Sequence, residues 1–279
     1  MDPPATIRPA PPPPPPRTDQ PFEPYPSPSR LTLATRSHTQ GAFHISARKL
    51  PILKAGPIDA MAARLRIPVP EMIFGDNLVC VAHPRTGWSV SFGAEAALDT
   101  VDKTGAGGML RVAHATAWSS SRERSGATAG ISEVVRPFDW SYSARYLGDE
   151  LLKRRDPILF ADEVVLYESE LDDNGISVMS VKFRVMEQRM LLLCRLFMRL
   201  DGVLVRVRDT RVYVDFEKEL VIREYTARED TFDNVKQKLY LSGLMPDAIT
   251  AALRDSNQVV NLLPVVESCV DSVCLAPKS

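Results

Sequence analysis

The sequence has little of the cysteine and histidine that metal sites, disulfide scaffolds and many active sites require. Its 279 residues include four cysteines and four histidines, and no two cysteines form a CxxC pair. Cys80 and Cys194 lie in apolar, strand-like runs, where a free thiol behaves as a small hydrophobe. We therefore predict reduced, buried cysteines rather than disulfides or a zinc site, and we expect neither a metal nor a cofactor.

Signatures of nucleotide binding and of ester hydrolysis are also missing. There is no Walker A loop, GxGxxG motif or GxSxG elbow, and the glycine-rich run 105–108 lacks the Lys-Ser/Thr pair that completes a phosphate cradle. We therefore expect a protein that is not an enzyme. A hydrolase that uses Cys80 with His83 or His114 stays open as an alternative, because a thiol and an imidazole can form a nucleophilic pair.

Neither an excess of one charge nor a long apolar run is present. The chain has 34 Lys and Arg residues against 35 Asp and Glu residues, which disfavours a nucleic-acid binder with its usual basic excess. No apolar run approaches the length that spans a bilayer, and the acidic, proline-rich start lacks the apolar core of a signal peptide. We expect a monomeric protein of the cytoplasm, with the nucleus as an alternative compartment, that binds no membrane.

Proline, by contrast, is abundant, and it is concentrated at the N-terminus. The unbroken run Pro11–Pro16 favours polyproline II, because each ring fixes φ and removes a hydrogen-bond donor. We predict that residues 1–40 form a disordered leader, for which binding to SH3 or WW domains is the alternative. Residues 41–279 are then predicted to form one domain.

Alternating apolar residues predict strands over much of the remaining chain. The predicted strands are 43–48, 78–83, 88–92, 164–168, 176–186, 191–200, 203–214 and 220–226. The predicted helices are 57–65, 95–101, 246–253 and 264–273. A run of antiparallel strands flanked by short helices indicates an α+β fold.

One predicted hairpin carries most of the positive charge. If Asp201-Gly202 is a two-residue loop, Arg195 lies opposite Arg208, and Arg199 and Arg206 share the same sheet face. Like charges directly across a strand pair destabilise a sheet, so such a face calls for anionic partners. A three-residue loop would change this pairing.

The neighbouring strand can lengthen this positive row. Lys182 and Arg184 extend it if strand 176–186 lies alongside the hairpin. An arginine fork can grip a carboxylate with two hydrogen bonds, so the face suits an acidic or carboxylate-ended peptide. The alternative is a solvated face whose arginines pair with the acidic residues between Glu163 and Asp173.

Several motifs, in register along the chain, resemble one known family. They are Pro70–Asn77 (PEMIFGDN), Phe138–Tyr142 (FDWSY), Val178–Met186 (VMSVKFRVM), Arg199–Arg206 (RLDGVLVR), Asp209–Tyr213 (DTRVY) and Arg223–Glu229 (REYTARE). Together they resemble the TIP-41-like family of TOR-pathway regulators, and the resemblance runs from about Phe43 to about Val273.

The resemblance implies a regulator without catalysis. Members of this family bind the catalytic subunits of protein phosphatase 2A and of the type 4 and type 6 enzymes, and they act with the TAP-type (alpha-four) regulator downstream of TOR kinase. The resemblance also implies a two-layered, mainly antiparallel β-sheet core flanked by short helices. A cleft in that fold is expected to receive the phosphatase's acidic, aromatic C-terminal tail with its free carboxylate.

The predicted partner-binding residues combine the charged hairpin with this resemblance. By position, Val207 and Asp209 fall where the family contacts its phosphatase, and Val207 replaces another apolar type. Segment Gly148–Phe160 is shorter than in the family. The full predicted set is Lys182, Arg184, Arg195, Arg199, Arg206, Val207, Arg208, Asp209 and Arg211. A module for acidic peptides or other anionic ligands, unrelated to phosphatases, is the alternative function.

Overall fold

The computed structural model of the protein describes residues 28–67, 69–99, 157–171 and 174–277. Most of the predicted leader, the motif at 138–142, residues 148–156 and His114 lie outside these ranges.

The described residues form helices and strands in the following chain order. They are α1 (Pro28–Leu33), β1 (Thr35–Gln40), β2 (Phe43–Arg48), α2 (Ala55–Leu65), β3 (Met72–Ile73), β4 (Leu78–His83), β5 (Trp88–Gly93), α3 (Ala94–Asp99), β6 (Ile158–Ser169), β7 (Gly175–Met186), β8 (Arg189–Leu200), β9 (Leu204–Asp215), β10 (Leu220–Thr231), α4 (Phe232–Leu241), α5 (Pro246–Ala252), α6 (Ser256–Val259) and β11 (Val265–Cys274). A 3₁₀ turn, Val260–Leu262, joins α6 to β11.

The strands form two antiparallel sheets. The small sheet has the order β1-β2-β4-β5, and the large sheet has the order β11-β10-β9-β8-β7-β6-β3. Strands β6 to β10 pair with their neighbours in sequence, as expected for a chain that reverses at short turns. The predicted α+β class, with an antiparallel sheet core and short flanking helices, is confirmed.

The two faces of the large sheet pack against different layers. The core face, which includes Phe183 and Leu192, shares one apolar cluster with Phe43 and Ile45 of the small sheet. The helix face, which includes Phe197, Val205 and Val207, packs against helices α4 to α6. Alternation in β7 follows the same division, because Val181 and Phe183 are buried while Lys182 and Arg184 are exposed.

The motif Phe74–Asn77 joins the two sheets and has a structural role. Asn77 is buried, and its side chain accepts the Leu50 N–H at 2.6 Å and donates to the Val165 carbonyl at 2.7 Å. A Cβ atom at Gly75 would lie 2.5 Å from the Leu53 side chain and 2.9 Å from the Met61 side chain, so a larger residue there would force these side chains to shift.

A carboxylate on β6 adds a second junction between the sheets. Asp162 contacts Lys49 at 2.6 Å and Arg36 of β1 at 3.2 Å. Burial pushes the pKa of Asp162 upward, but hydrogen bonds from Lys49 and the Glu163 amide, with the nearby positive charges, hold that pKa below its usual value. The ionised form is therefore the one that the fold stabilises.

The predicted end of the leader, residue 40, is wrong. Residues Pro28–Leu33 form α1, and Thr35–Gln40 form β1, which pairs with β2 along its whole length. The sequence of β1 is polar, and its residues are mostly exposed or half-buried. Strand β1 is held at the sheet edge by backbone pairing with β2. Such pairing needs no apolar alternation, so the sequence pattern did not reveal this strand.

Two predictions near the C-terminus also need correction. Residues Val265–Cys274 form an edge strand instead of the predicted helix, because their β-branched side chains suit the pairing with β10. Helix α4 was not predicted, although Thr231 is an N-cap and Phe232, Val235 and Leu239 have helical spacing.

No helix in the described ranges combines the length and the apolar character needed to cross a membrane.

The loop of the β8–β9 hairpin is longer by one residue than predicted. Leu200 pairs with Leu204, so the loop is Asp201-Gly202-Val203, with Gly202 at φ +73°. A shift of one residue turns every following side chain of the second strand to the other face. Arg195 therefore lies opposite Asp209, and Arg208 lies opposite Leu196.

We predict that Asp162→Asn lowers the free energy of unfolding by about 1 kcal/mol at neutral pH. Because the folded-state pKa of Asp162 is depressed, its contribution is complete above the unfolded pKa of about 3.9 and is lost as the pH falls through the folded value. Urea unfolding at several pH values measures this. Glu163→Gln, at an exposed carboxylate on the same strand, is the control, and an equal loss in both variants would contradict the prediction.

Candidate functional site

The predicted single face of arginines is wrong, because the arginines lie on both faces of the large sheet. Cross-strand pairing places Arg195 and Arg199 on the helix face, with Asp209 and Val205 opposite them. Arg206 and Arg208 point to the other side, where Met198 and Leu196 are their partners across the strand pair. The like-charge repulsion that called for an anionic ligand therefore does not occur.

Arginines of the helix face have carboxylate partners within the chain. Arg195 grips Asp209 with two hydrogen bonds, Nε to Oδ1 and Nη2 to Oδ2, each 2.7 Å long. Arg211 lies 3.2 Å from both Asp209 and Glu224. Asp209 is only 1% exposed, so this is a buried, charge-compensated cluster and not an open anion site.

Arginines of the core face are also neutralised within the chain. Arg206 is ion-paired with Glu229. Arg208 donates to the Tyr225 hydroxyl at 2.6 Å and lies 3.9 Å from Glu267. Both arginines are buried residues, and their charges are compensated by partners within the chain.

Val207 and Asp209 are buried, although both were predicted as partner contacts. Val207 is fully buried in the apolar cluster beneath α4 to α6. Asp209 orients Arg195, whose Nη1 reaches Asn257 at 2.9 Å and Ser256 at 3.3 Å at the start of α6. Asp209 therefore acts, through Arg195, as a clamp between the large sheet and helix α6.

Two of the predicted cations remain at the surface. Lys182 and Arg184 are exposed on β7, and they lie on the same side of the sheet as Arg195. Lys182 forms a salt bridge of 2.9 Å with Glu163, and both side chains are about half exposed. An exposed pair of this kind is worth little energetically and leaves Lys182 able to exchange partners.

A groove of about 730 Å³ lies between α4, α5 and the tip of the β8–β9 hairpin. Its apolar lining consists of Phe232, Tyr240, Pro246, Ile249 and Leu253. Phe232 and Tyr240 are eight residues apart on α4, and Pro246 occupies the first turn of α5, where a missing N–H costs nothing. The groove is therefore an apolar channel between α4 and α5.

Charged residues border this channel, with more positive than negative groups. Arg199, Lys236 and Arg254 supply the cations, and Asp201 and Asp233 supply the anions. Arg199 is buried, pairs with Asp201 at 2.7 Å and donates to the Leu253 carbonyl at 3.3 Å, where a cation also compensates the C-terminal dipole of α5. Lys236 and Arg254 are exposed and accessible to a ligand.

Of this groove, the sequence analysis identified only Arg199 as a binding residue. Lys236 was missed because α4 was not predicted, and Arg254 was missed because it follows the predicted helix 246–253. The N-cap Thr231, whose hydroxyl accepts the Asn234 N–H at 3.3 Å, was the signal that could have located α4.

The proposed cysteine–histidine hydrolase pair is wrong for Cys80 and His83. The two residues lie on β4 with opposite burial, which places their side chains on opposite faces of the strand. Burial raises the pKa of the Cys80 thiol, which disfavours the nucleophilic thiolate. His83 is fully buried, with Nδ1 2.8 Å from the Thr86 hydroxyl and Nε2 3.4 Å from Glu219.

Among the described residues, no group of His, Cys, Asp and Glu side chains could hold a metal ion.

Comparison with known proteins assigns the chain to a family. The model of the TIP41-like family matches residues 72–236, from β3 to the middle of α4. The chain belongs to the TIP41-like family. The predicted resemblance is thereby confirmed, and the match includes the hairpin, the Asp209 clamp and Lys236 of the groove.

Individual TIP41-like relatives align over most of their length. The Saccharomyces cerevisiae protein named Type 2A phosphatase activator TIP41 is 36% identical in an alignment that covers 87% of this chain and 76% of that protein. The Homo sapiens TIP41-like protein is 35% identical over 84% of this chain and 87% of its own length. The Schizosaccharomyces pombe protein named Type 2A phosphatase activator tip41 is 30% identical over 76% of this chain and 87% of its own length.

We predict that Asp209→Ala destabilises the protein by about 3 kcal/mol, because it leaves two guanidinium groups near a buried site without their shared carboxylate. Replacing Arg195 and Asp209 together by leucine should recover much of this loss, since an apolar pair needs no compensation. Urea unfolding measures both changes. Arg184→Ala, at an exposed position, is the control and should stay within about 0.5 kcal/mol of the wild type. An Asp209→Ala protein with unchanged stability would contradict the clamp.

Proposed function

We propose that this protein regulates type 2A protein phosphatases by binding their catalytic subunits, and that it catalyses no reaction itself. Support comes from relatives at 36% and 30% identity whose names describe a type 2A phosphatase activator. Under this proposal the partners are the catalytic subunits of phosphatases 2A, 4 and 6 together with the TAP-type (alpha-four) regulator. The setting is TOR signalling in the cytoplasm, with the nucleus as the alternative compartment.

The groove between α4 and α5 is the site that we propose for the phosphatase's C-terminal tail. The observation that carries this proposal is its combination of an apolar lining with the exposed cations Lys236 and Arg254. A tail that is acidic, contains an aromatic residue and ends in a carboxylate presents the complementary chemistry. The aromatic ring can pack on the apolar lining while the anionic groups meet the cations.

The groove also fits this ligand better than the open part of the helix face does. Lys182 and Arg184 provide charge there, but they project from a flat strand, and Glu163 already competes for Lys182. A concave site removes more of a peptide from water than a flat one and therefore binds more tightly for the same charges.

We predict that Lys236→Glu together with Arg254→Glu weakens binding of a type 2A catalytic subunit by tenfold or more, about 1.4 kcal/mol, because both ligand-facing cations become anions. Isothermal titration calorimetry with the purified catalytic subunit measures this. Both residues are exposed, so the urea midpoint should not change.

The matched control is Lys182→Glu with Arg184→Glu, which reverses two exposed charges outside the groove. We expect it to leave the affinity within about twofold of the wild type, since charges outside an interface contribute little at physiological salt. The opposite ranking of the two double variants would move the site to the open sheet face. Equal affinity for a scrambled acidic peptide and for the native tail would favour the general acidic-peptide module.

A further inference from the structure

Strand β11 lies at one end of the large sheet, and its outer edge is open. None of the described strands pairs with that edge, so alternate backbone N–H and C=O groups along it face outward. Every residue of β11 except Cys269 is exposed. Four valines are among them, Val265, Val266, Val270 and Val273, with exposed fractions of 48%, 58%, 51% and 39%.

This edge has few of the features that keep sheet edges from pairing. Proteins protect such edges with very short strands, lysines, prolines or bulges. The opposite end of the large sheet has such protection, because β3 contains only two residues. Strand β11 has ten residues and contains no Lys, Arg or Pro, and its register shift lies at the start, opposite Ala227 and Arg228. From Glu267 onward it is a regular template for a further strand.

The carboxylates of β11 do not protect the edge, because arginines of inner strands compensate them. Glu267 and Asp271 lie on the core face, two residues either side of Cys269, which pairs with Tyr225. Arg223 contacts Asp271 at 2.8 Å, and Arg208 lies 3.9 Å from Glu267. On the other face the strand presents Ser268, Val270 and Ser272, which carry no charge.

The sequence of β11 can pair with itself in one central register. Two copies of an edge strand pair antiparallel about a two-fold axis perpendicular to the sheet, and facing residues share a sheet face, so the axis passes through a residue. An axis through Cys269 sets Glu267 against Asp271, and an axis through Asp271 sets this carboxylate against its own copy. Like charges in direct opposition destabilise a strand pair.

An axis through Val270 avoids both clashes. Each carboxylate then faces an uncharged residue, and valine faces valine at the centre. The pairs are Val270–Val270, Cys269–Asp271, Ser268–Ser272 and Glu267–Val273. This register uses the whole of the regular segment from Glu267 to Val273, and it therefore satisfies the open backbone groups of both copies.

From this edge we infer that two copies of the protein associate through β11, antiparallel and with Val270 on the two-fold axis, so that their large sheets join. The inference is independent of the proposed function. Residues 267–273 give a contact with far fewer residues than the about 20–30 per partner of a stable interface, so the dimer is weak. The monomer expected from the sequence is then the form at low concentration.

Sedimentation velocity of the full chain, under reducing conditions and over a series of micromolar concentrations, tests this dimer. We expect the wild type to shift from monomer to dimer as its concentration rises. Val270→Lys sets two ammonium groups against each other on the axis and should raise the dimer dissociation constant tenfold or more. Val265→Lys is the matched control, since it changes an exposed valine of the same strand outside the paired segment and should dimerise as the wild type does.

A charge-swap mixture tests the register itself. Val270→Glu should also stay monomeric, because it sets two carboxylates against each other. An equimolar mixture of Val270→Lys and Val270→Glu should dimerise at least as well as the wild type, since lysine then faces glutamate across the axis. Only a residue that faces its own copy gives this result. Urea midpoints close to that of the wild type show that each variant is folded.

Amide hydrogen exchange of the wild type gives a measurement that needs no variant. Outward-facing amides of residues 267–273 should exchange more slowly at high protein concentration, while those of the edge strand β1 should not change. A wild type that stays monomeric at every concentration overturns the inference and leaves the edge to a strand of another protein. Dimerisation of Val270→Lys at wild-type strength overturns it too, and so does a mixture that associates no better than its components.

Discussion

A buried ion pair across the β8–β9 hairpin ties the start of α6 to the large sheet. Asp209 takes both nitrogens of the Arg195 fork, and the remaining guanidinium nitrogen reaches Asn257 and Ser256 at the start of α6. An ion pair removed from water stabilises a fold only when its geometry is good and its other hydrogen-bonding groups are satisfied, and this pair meets both conditions. Helices α4 and α5 are held to the same face by the apolar cluster around Val205 and Val207, and by Arg199 at the end of α5.

Much of the fold could be predicted from the sequence because apolar alternation is a local property. Strand β4 and the end of the α2 helix match their predicted bounds, and the Asp201-Gly202 turn lies where its chemistry indicated. The hairpin register could not be predicted in the same way. A loop of two or three residues fits the local sequence equally well, and only the pairing of Arg195 with a carboxylate in place of Arg208 favours the longer loop.

The candidate site was harder to predict because charge in a sequence does not reveal where its counter-charge lies. The hairpin arginines stood out in the sequence, yet their partners Glu229 and Glu267 come from β10 and β11, and β11 was predicted as a helix. The exposed cations Lys236 and Arg254 looked ordinary, since a lysine or an arginine on a short helix is usually solvated. Their proposed role follows from the groove, which forms only when the hairpin tip meets helices α4 and α5.

Arg199 shows how the sheet and the groove are linked. Its guanidinium is committed to Asp201 and to the Leu253 carbonyl, so it fixes the end of α5 rather than offering a free fork to a ligand. Under the proposed function, recognition of an anionic tail then falls to Lys236 and Arg254, which are exposed and lose rotamer entropy when they bind. Under the proposed function, such a groove suits a moderate affinity for the tail, because part of the interaction energy offsets this loss of side-chain freedom.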